Sequence, residues 1–244
     1  TESALPRWTP VTSDSPVWTL QMEPHGLGDA IMLSSLPTIA KRCGRNIRVW
    51  STSKHYDVLK HFIDGPILKD QGAHVIDMLA ADRLFNVGSG HLLQRAARLF
   101  GLRPDPLPVG YLKLAPVKSK HIRCSVHLGA GECQAWQKKL YHPRAREIYP
   151  ENIAIIRQFI ASHSEIEFAE VGTDVLRDII PSVGRSWLKE TIQWMGTAHV
   201  HIGPISGPYH LAHLMGARTI AIINFPEPWR LMLPSLKNCG VVEE

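Results

Sequence analysis

Short runs rich in Val, Ile and Leu recur along this chain, and nearly every one is followed by a segment of helical periodicity. That alternation constrains the fold more than any other feature. A strand, a covering helix and a second strand join most readily as a right-handed unit of a parallel sheet. The first run, residues 17–22, passes through Glu23-Pro24-His25-Gly26-Leu27-Gly28 into a helical pattern. That pattern opens at Asp29, places Ile31, Leu33, Leu36, Ile39 and Ala40 on one face, and closes at Gly44. Strands are predicted at 47–51, 75–78 and 84–87, and helices at 56–63 and 90–100. Pro104, Pro106, Pro108 and Gly110 then mark the approach to a domain boundary.

A second alternating series follows. Residues 122–128 read as a strand, succeeded by a long basic loop and by a helix from Pro150 to His163, proline suiting a first helical turn. A strand at 166–171, helical segments at 175–180 and 187–195, a strand at 199–202, a helix at 208–215 and a strand at 219–223 complete it. No internal repeat or low-complexity tract interrupts the pattern. The expected fold class is α/β, with two small Rossmann-like halves, parallel sheets and a cleft between them. Residues 1–16 are expected to be a flexible tail, 17–115 one domain and 116–244 the other. A chain of 244 residues is long enough to bury both cores.

Composition excludes several classes. With 44% hydrophobic and 20% charged residues, wholesale disorder is ruled out. No apolar run reaches the roughly 20 residues a membrane helix requires. The first sixteen residues are polar and rich in Pro, Ser and Thr, without the basic and apolar regions of a secretory signal. Cys43, Cys124, Cys133 and Cys239 form no C-x-x-C pair. A reducing, cytoplasmic location is the expectation.

The net charge of +5 suits an anionic small molecule as well as nucleic acid. Between residues 117 and 146 lie Lys118, Lys120, Arg123, Lys138, Lys139, Arg144 and Arg146 against the single acid Glu132. Such a stretch is either a solvated loop or one that faces phosphate. No nucleic-acid-binding module accompanies it, so no nucleic-acid partner is expected. His199 and His201 share a strand face, and His210 and His213 a helix face, but no Cys or acidic cluster completes a tetrahedral set. No metal is expected.

Two junctions carry chemistry. At Gly26-Leu27-Gly28-Asp29 a strand meets a helix, and Asp29 is either an N-cap or a carboxylate at the ligand end of the strand. Position 31 is Ile, so the third glycine of a dinucleotide fingerprint is missing. The second junction runs His201-Ile202-Gly203-Pro204-Ile205-Ser206-Gly207-Pro208-Tyr209-His210-Leu211-Ala212. There a strand stops near Gly203, a turn places Ser206 and Gly207, and a helix starts near Pro208. Free amides at such a start form an anion nest. His210 on its first turn either reaches the same anion or simply packs.

Together, G-L-G-D at 26–29 and S-G-P-x-H-L-A at 206–212 resemble the ADP-heptose:lipopolysaccharide heptosyltransferase family of GT-B glycosyltransferases. Trp187-Leu188-Lys189-Glu190, Val126-His127-Leu128-Gly129-Ala130 and Tyr149-Pro150-Glu151-Asn152 are similar to that family too. The resemblance covers residues 17–44 and 121–226 and implies a GT-B-like fold. It implies Asp29 as general base for an acceptor hydroxyl. It implies contact of the donor's nucleotide diphosphate with Ser206, Gly207 and His210, and a donor-domain loop at Gly129 and Ala130. Asp174, after Val171-Gly172-Thr173, falls near a ribose-contacting acid. Two positions depart from the family: Ile205 stands where an acid is usual, and Glu147 where a phosphate-binding Lys is usual. Arg146, Arg144 or Lys139 can stand in for that Lys.

The function so implied is transfer of a heptose-like or hexose sugar from a nucleotide-diphosphate sugar to an acceptor hydroxyl. The acceptor is a glycan, a lipid-linked molecule or a protein. The nucleotide sugar is a co-substrate and no separate cofactor is implied. The expected donor and phosphate contacts are Gly28, Gly129, Ala130, Lys138, Lys139, Arg144, Arg146, Asp174, Ser206, Gly207 and His210. The chain is shorter than typical members, so it reads as a shortened one. The alternative is a non-catalytic nucleotide-sugar-binding or assembly protein on a degenerate glycosyltransferase fold.

Overall fold

Strand β1 (Trp18–Gln21) lies inside the first of two parallel sheets, with β2 (Ile47–Trp50) on one side and β4 (Val75–Asp77) on the other. Strand β3 (Ile67–Leu68) extends the sheet beyond β2, giving the order β3-β2-β1-β4. The computed structural model describes residues 18–21, 28, 31, 47–50, 67–68, 75–77, 116–129, 148–184, 188–223 and 239–243. The chain divides into two compact units, Thr1–Tyr111 and Leu112–Glu244. In the first, Gly28 and Ile31 are helical and Ile31 is fully buried, as an apolar residue on the inner face of a helix after β1 should be. The expected tail at 1–16, the helices at 56–63 and 90–100 and the strand at 84–87 lie outside the described residues.

The second unit comprises β5 (Arg123–Val126), α1 (Pro150–Ser162), β6 (Glu167–Val171), β7 (Ser182–Val183) and α2 (Leu188–Thr197), then β8 (Val200–Pro204), α3 (Gly207–Leu214), β9 (Arg218–Ile223) and β10 (Cys239–Glu243). Among the described residues its six strands are all parallel, in the order β10-β9-β8-β5-β6-β7. Counted from β5, this is the 3-2-1-4-5-6 order of doubly wound folds. The two-residue β7 and the sixth strand β10 add to the strands expected from the sequence. Residues 175–180, expected to be helical, form turns instead. Leu176 and Ile180 do have helical spacing and are buried, and the Ile180 amide bonds the Leu176 carbonyl at 3.0 Å. Pro181 follows at once, and a helix cannot grow into a proline.

The two faces of this sheet differ in kind. One packs Cys124, Val126, Leu128, Phe168 and Ile202 against Ile156 and Ile160 of α1 and against Leu176 and Ile180. Pro150 starts α1 with Tyr149 extended before it, and the four-residue step from Ile156 to Ile160 aims both at the sheet. The other face carries α3, which packs on β8 and β9. Ser125, His201 and Thr219 stand in register there, in one fully buried row. Gly216 follows the C-cap Met215 of α3, and its φ of +75° is the left-handed conformation that closes a helix. The Gly216 amide bonds the His213 carbonyl and the Ala217 amide the Ala212 carbonyl, each at 3.0 Å, completing that cap.

Candidate functional site

In a doubly wound sheet, ligands collect outside the carboxyl ends of the strands where the strand order reverses. Here that point lies between β5 and β8. β5 ends into His127-Leu128-Gly129, and β8 ends into Ile205-Ser206 and the start of α3. The His127 amide bonds the Ile202 carbonyl at 2.9 Å, tying the two strand ends together. A Cβ at Gly203 would stand 2.6 Å from the His127 carbonyl oxygen, so no larger residue fits while the strands stay this close.

Ser206 is the N-cap residue of α3, in extended conformation, and its side chain makes no capping bond. Its hydroxyl oxygen is buried and has no hydrogen-bond partner among the described residues. A helix start leaves its first amides without partners inside the helix, and the first turn of α3 carries no acid. The arrangement suits an anion. His210 is only 2% exposed, its ring edge-on to Tyr209 with centroids 5.6 Å apart. Beneath it, His201 Nδ1 is 2.9 Å from the Ser125 hydroxyl, and the Thr219 hydroxyl donates to the Tyr209 oxygen at 3.2 Å. Burial, reinforced by His127, pushes the His201 pKa down to about 3, so that imidazole is neutral.

On the β6 side, His127 Nδ1–H donates to the Val171 carbonyl at 2.7 Å. Burial lowers the His127 pKa, against the opposing pulls of the Val171 bond and the Glu170 charge. The neutral ring so held leaves Nε2 as its acceptor atom. Gly129 comes close to the β6 turn: a Cβ there would lie 2.6 Å from the Thr173 methyl carbon. The Leu128 amide lies 3.5 Å from the Thr173 hydroxyl, to which it donates. Asp174, half-buried, follows Thr173 in the same turn.

Sequence reasoning passed over Glu170. It is fully buried at the end of β6, and its carboxylate accepts the Thr173 hydroxyl at 2.5 Å, the Val175 amide at 2.9 Å and the Leu176 amide at 2.7 Å. The available signal was an acid inside the apolar strand Glu167–Val171, immediately before Gly-Thr-Asp.

The structure thus brings Gly129 and Asp174 to one side of the strand-order reversal, and Ser206, Gly207 and His210 to the other. Gly28 is half-buried in the first unit. Asp29, Ala130, Lys138, Lys139, Arg144 and Arg146 lie outside the described residues. Two cations of the basic stretch, Lys118 and Arg123, are engaged within the second unit. Lys118 donates to the carbonyls of Ala198 at 2.7 Å, Met215 at 2.8 Å and Gly196 at 3.4 Å. Arg123 holds Glu167 through two bonds of 2.7 and 2.9 Å, donates to the Thr197 hydroxyl and covers the Trp194 ring. Both cations serve the amino edge of the sheet, opposite the candidate site. Among the described residues no three His, Cys, Asp or Glu side chains are placed to hold a metal ion. No helix there is long and apolar enough to cross a membrane.

No known family model matches the sequence, and no curated protein matches it. Solved structures do share its fold. One is a glycosyl transferase family 9 protein from Veillonella parvula, with a TM-score of 0.65 at 13% identity over 97% of this chain and 88% of that one. The heptosyltransferase WaaC of E. coli, solved with ADP-2-deoxy-2-fluoro heptose, gives 0.59 at 12% identity over 93% of both chains. The iron-containing dodecameric glycosyltransferase TibC of enterotoxigenic E. coli gives 0.55 at 15% identity over 88% of this chain and 61% of that one. The fold is therefore α/β and GT-B-like.

Proposed function

We propose that the protein is a glycosyltransferase of the heptosyltransferase-like family, moving a heptose-like or hexose sugar from a nucleotide-diphosphate sugar to an acceptor hydroxyl. One observation carries the reading. The Ser206 hydroxyl, buried and unpartnered among the described residues, stands at the N-cap position of the helix that starts where the strand order reverses. The likeness in fold to three glycosyltransferases supports it.

In this proposal residues 116–244 take the donor and 17–115 the acceptor. Ser206, Gly207 and His210 receive the diphosphate, with Lys138, Lys139, Arg144 and Arg146 adding charge. Gly129 and Ala130 let the chain approach closely, and Asp174 meets the ribose. Asp29, next to Gly28, removes the acceptor proton as the acceptor oxygen bonds the anomeric carbon. The bond from that carbon to the diphosphate oxygen breaks, and helix amides and cations stabilise the charge that develops there. The acceptor is a glycan, a lipid-linked molecule or a protein, and the reaction is cytoplasmic.

The test is release of free nucleoside diphosphate from a panel of nucleotide sugars, with cell-extract acceptors, by wild type and Asp29→Ala. Donor binding should survive in the variant while turnover falls at least a hundredfold. Equal turnover would remove Asp29 from the mechanism. Ile205, half-buried between Pro204 and Ser206, supports the second reading, a non-catalytic nucleotide-sugar-binding or assembly protein. Silence of the wild type across all donors, with binding intact, would favour it.

A further inference from the structure

The Glu170 carboxylate does more than close a turn. Its Oε1 accepts both the Thr173 hydroxyl and the Val175 amide, the residues on either side of Asp174, while Oε2 accepts the Leu176 amide. Thr173 faces two ways: its hydroxyl bonds Glu170, and its methyl stands against Gly129 in the loop after β5. Glu170 thus brackets Asp174 and braces Thr173 against the β5 loop, and the Ser182 hydroxyl holds the same turn by donating to the Thr173 carbonyl at 2.8 Å. An apolar residue would fill the same volume without the desolvation cost of a carboxylate. What the carboxylate adds is direction, a fixed bond on each side of Asp174.

We propose that Glu170 is a positioning residue for the nucleoside part of the ligand, acting through Thr173 and Asp174. The proposal rests on reading the site as one for a nucleotide-sugar donor. It divides that site in two. The diphosphate half belongs to β8 and α3, and the nucleoside half to the loops after β5 and β6. β5 separates β6 from β8, so a change at Glu170 reaches one half and leaves the other alone.

Calorimetric titration of the full chain with ADP, GDP, UDP and inorganic pyrophosphate tests this. Wild type should bind one nucleoside diphosphate at least tenfold more tightly than pyrophosphate. Glu170→Gln and Thr173→Val should each lose most of that advantage while pyrophosphate affinity stays within twofold. Thr173→Val keeps the side-chain shape against Gly129, so it carries the test if Glu170→Gln does not fold. An undiminished nucleoside advantage in the variants would overturn the proposal. So would an equal loss for nucleoside diphosphate and pyrophosphate, which marks a change to the whole unit. Wild-type binding of pyrophosphate without any nucleoside advantage would overturn it and leave the anion site standing. Binding of neither would bring down the donor-site reading, and this inference with it.

Discussion

Replacing Lys118 by Met keeps an apolar stem of similar length and removes only the ammonium group. That group bridges the ends of α2 and α3, with two short bonds to Ala198 and Met215 at 2.7 and 2.8 Å and a longer one to Gly196 at 3.4 Å. A hydrogen bond from a charged donor contributes about 1.5–3 kcal/mol, so the two short ones bound the loss at about 3–6 kcal/mol. Met and Lys lose similar rotamer freedom, so entropy offsets little of it. The site is half-buried, and water can reach the freed carbonyls, which brings the expected loss to about 2–4 kcal/mol. At about 1.4 kcal/mol per factor of ten, amides in the last turns of α2 and α3 should exchange roughly 30- to 700-fold faster. Hydrogen–deuterium exchange mass spectrometry of the full chain reads this directly, with Lys120→Met as the exposed control. Exchange in those turns within threefold of wild type would refute the bridge.

Further outcomes follow from the same geometry. His201 is neutral in the folded state down to about pH 3, whereas the unfolded chain takes up its proton near 6.5. Stability should therefore fall as pH drops below 6.5, at about 1.4 kcal/mol per unit from this group. Denaturation at pH 7 and pH 5 should show the gap between wild type and His201→Gln narrowing by about 2 kcal/mol, and a constant gap would contradict the assignment. Gly203→Ala would put a Cβ 2.6 Å from the His127 carbonyl oxygen and should cost about 1–3 kcal/mol in urea denaturation. A change below about 0.5 kcal/mol would show that the strands separate freely. Gly207→Val should abolish pyrophosphate binding in a protein that stays folded, and His210→Ala should weaken it only about fivefold, the equivalent of about 1 kcal/mol. Unchanged affinity in Gly207→Val would sink the anion site.

Much of the second unit could be read from residue pattern. Pro150 announced α1 because proline suits a helix start, and Ser206-Gly207-Pro208 announced the turn into α3. β7 could not be read, since two residues, Ser182 and Val183, carry no periodicity and are held by pairing with β6. The turns at 175–180 misled because Leu176 and Ile180 really do face the core at helical spacing; Pro181 decides the outcome. For the site, the sequence pointed to Ser206 and Gly207 through a local motif. It did not point to Glu170, whose three donors matter only once the chain has folded back between β6 and β7. Nor did it place Lys118 and Arg123 at the amino ends of the strands, because a charge count carries no record of which end of a sheet a residue reaches.

The contrast between the two faces of the second sheet bears on how this protein can diverge. Beneath α1 the contacts are apolar and without direction, so methyl groups can be traded between neighbours as long as volume is kept. Beneath α3 two buried contacts are specified by a bond: Ser125 with His201, and Thr219 with Tyr209. A single replacement there strands a polar atom away from water, while a paired one need not. Drift on that face should therefore proceed in coupled steps. The helix that presents Ser206 would keep its rotation about its own axis even as the residues beneath it change in twos.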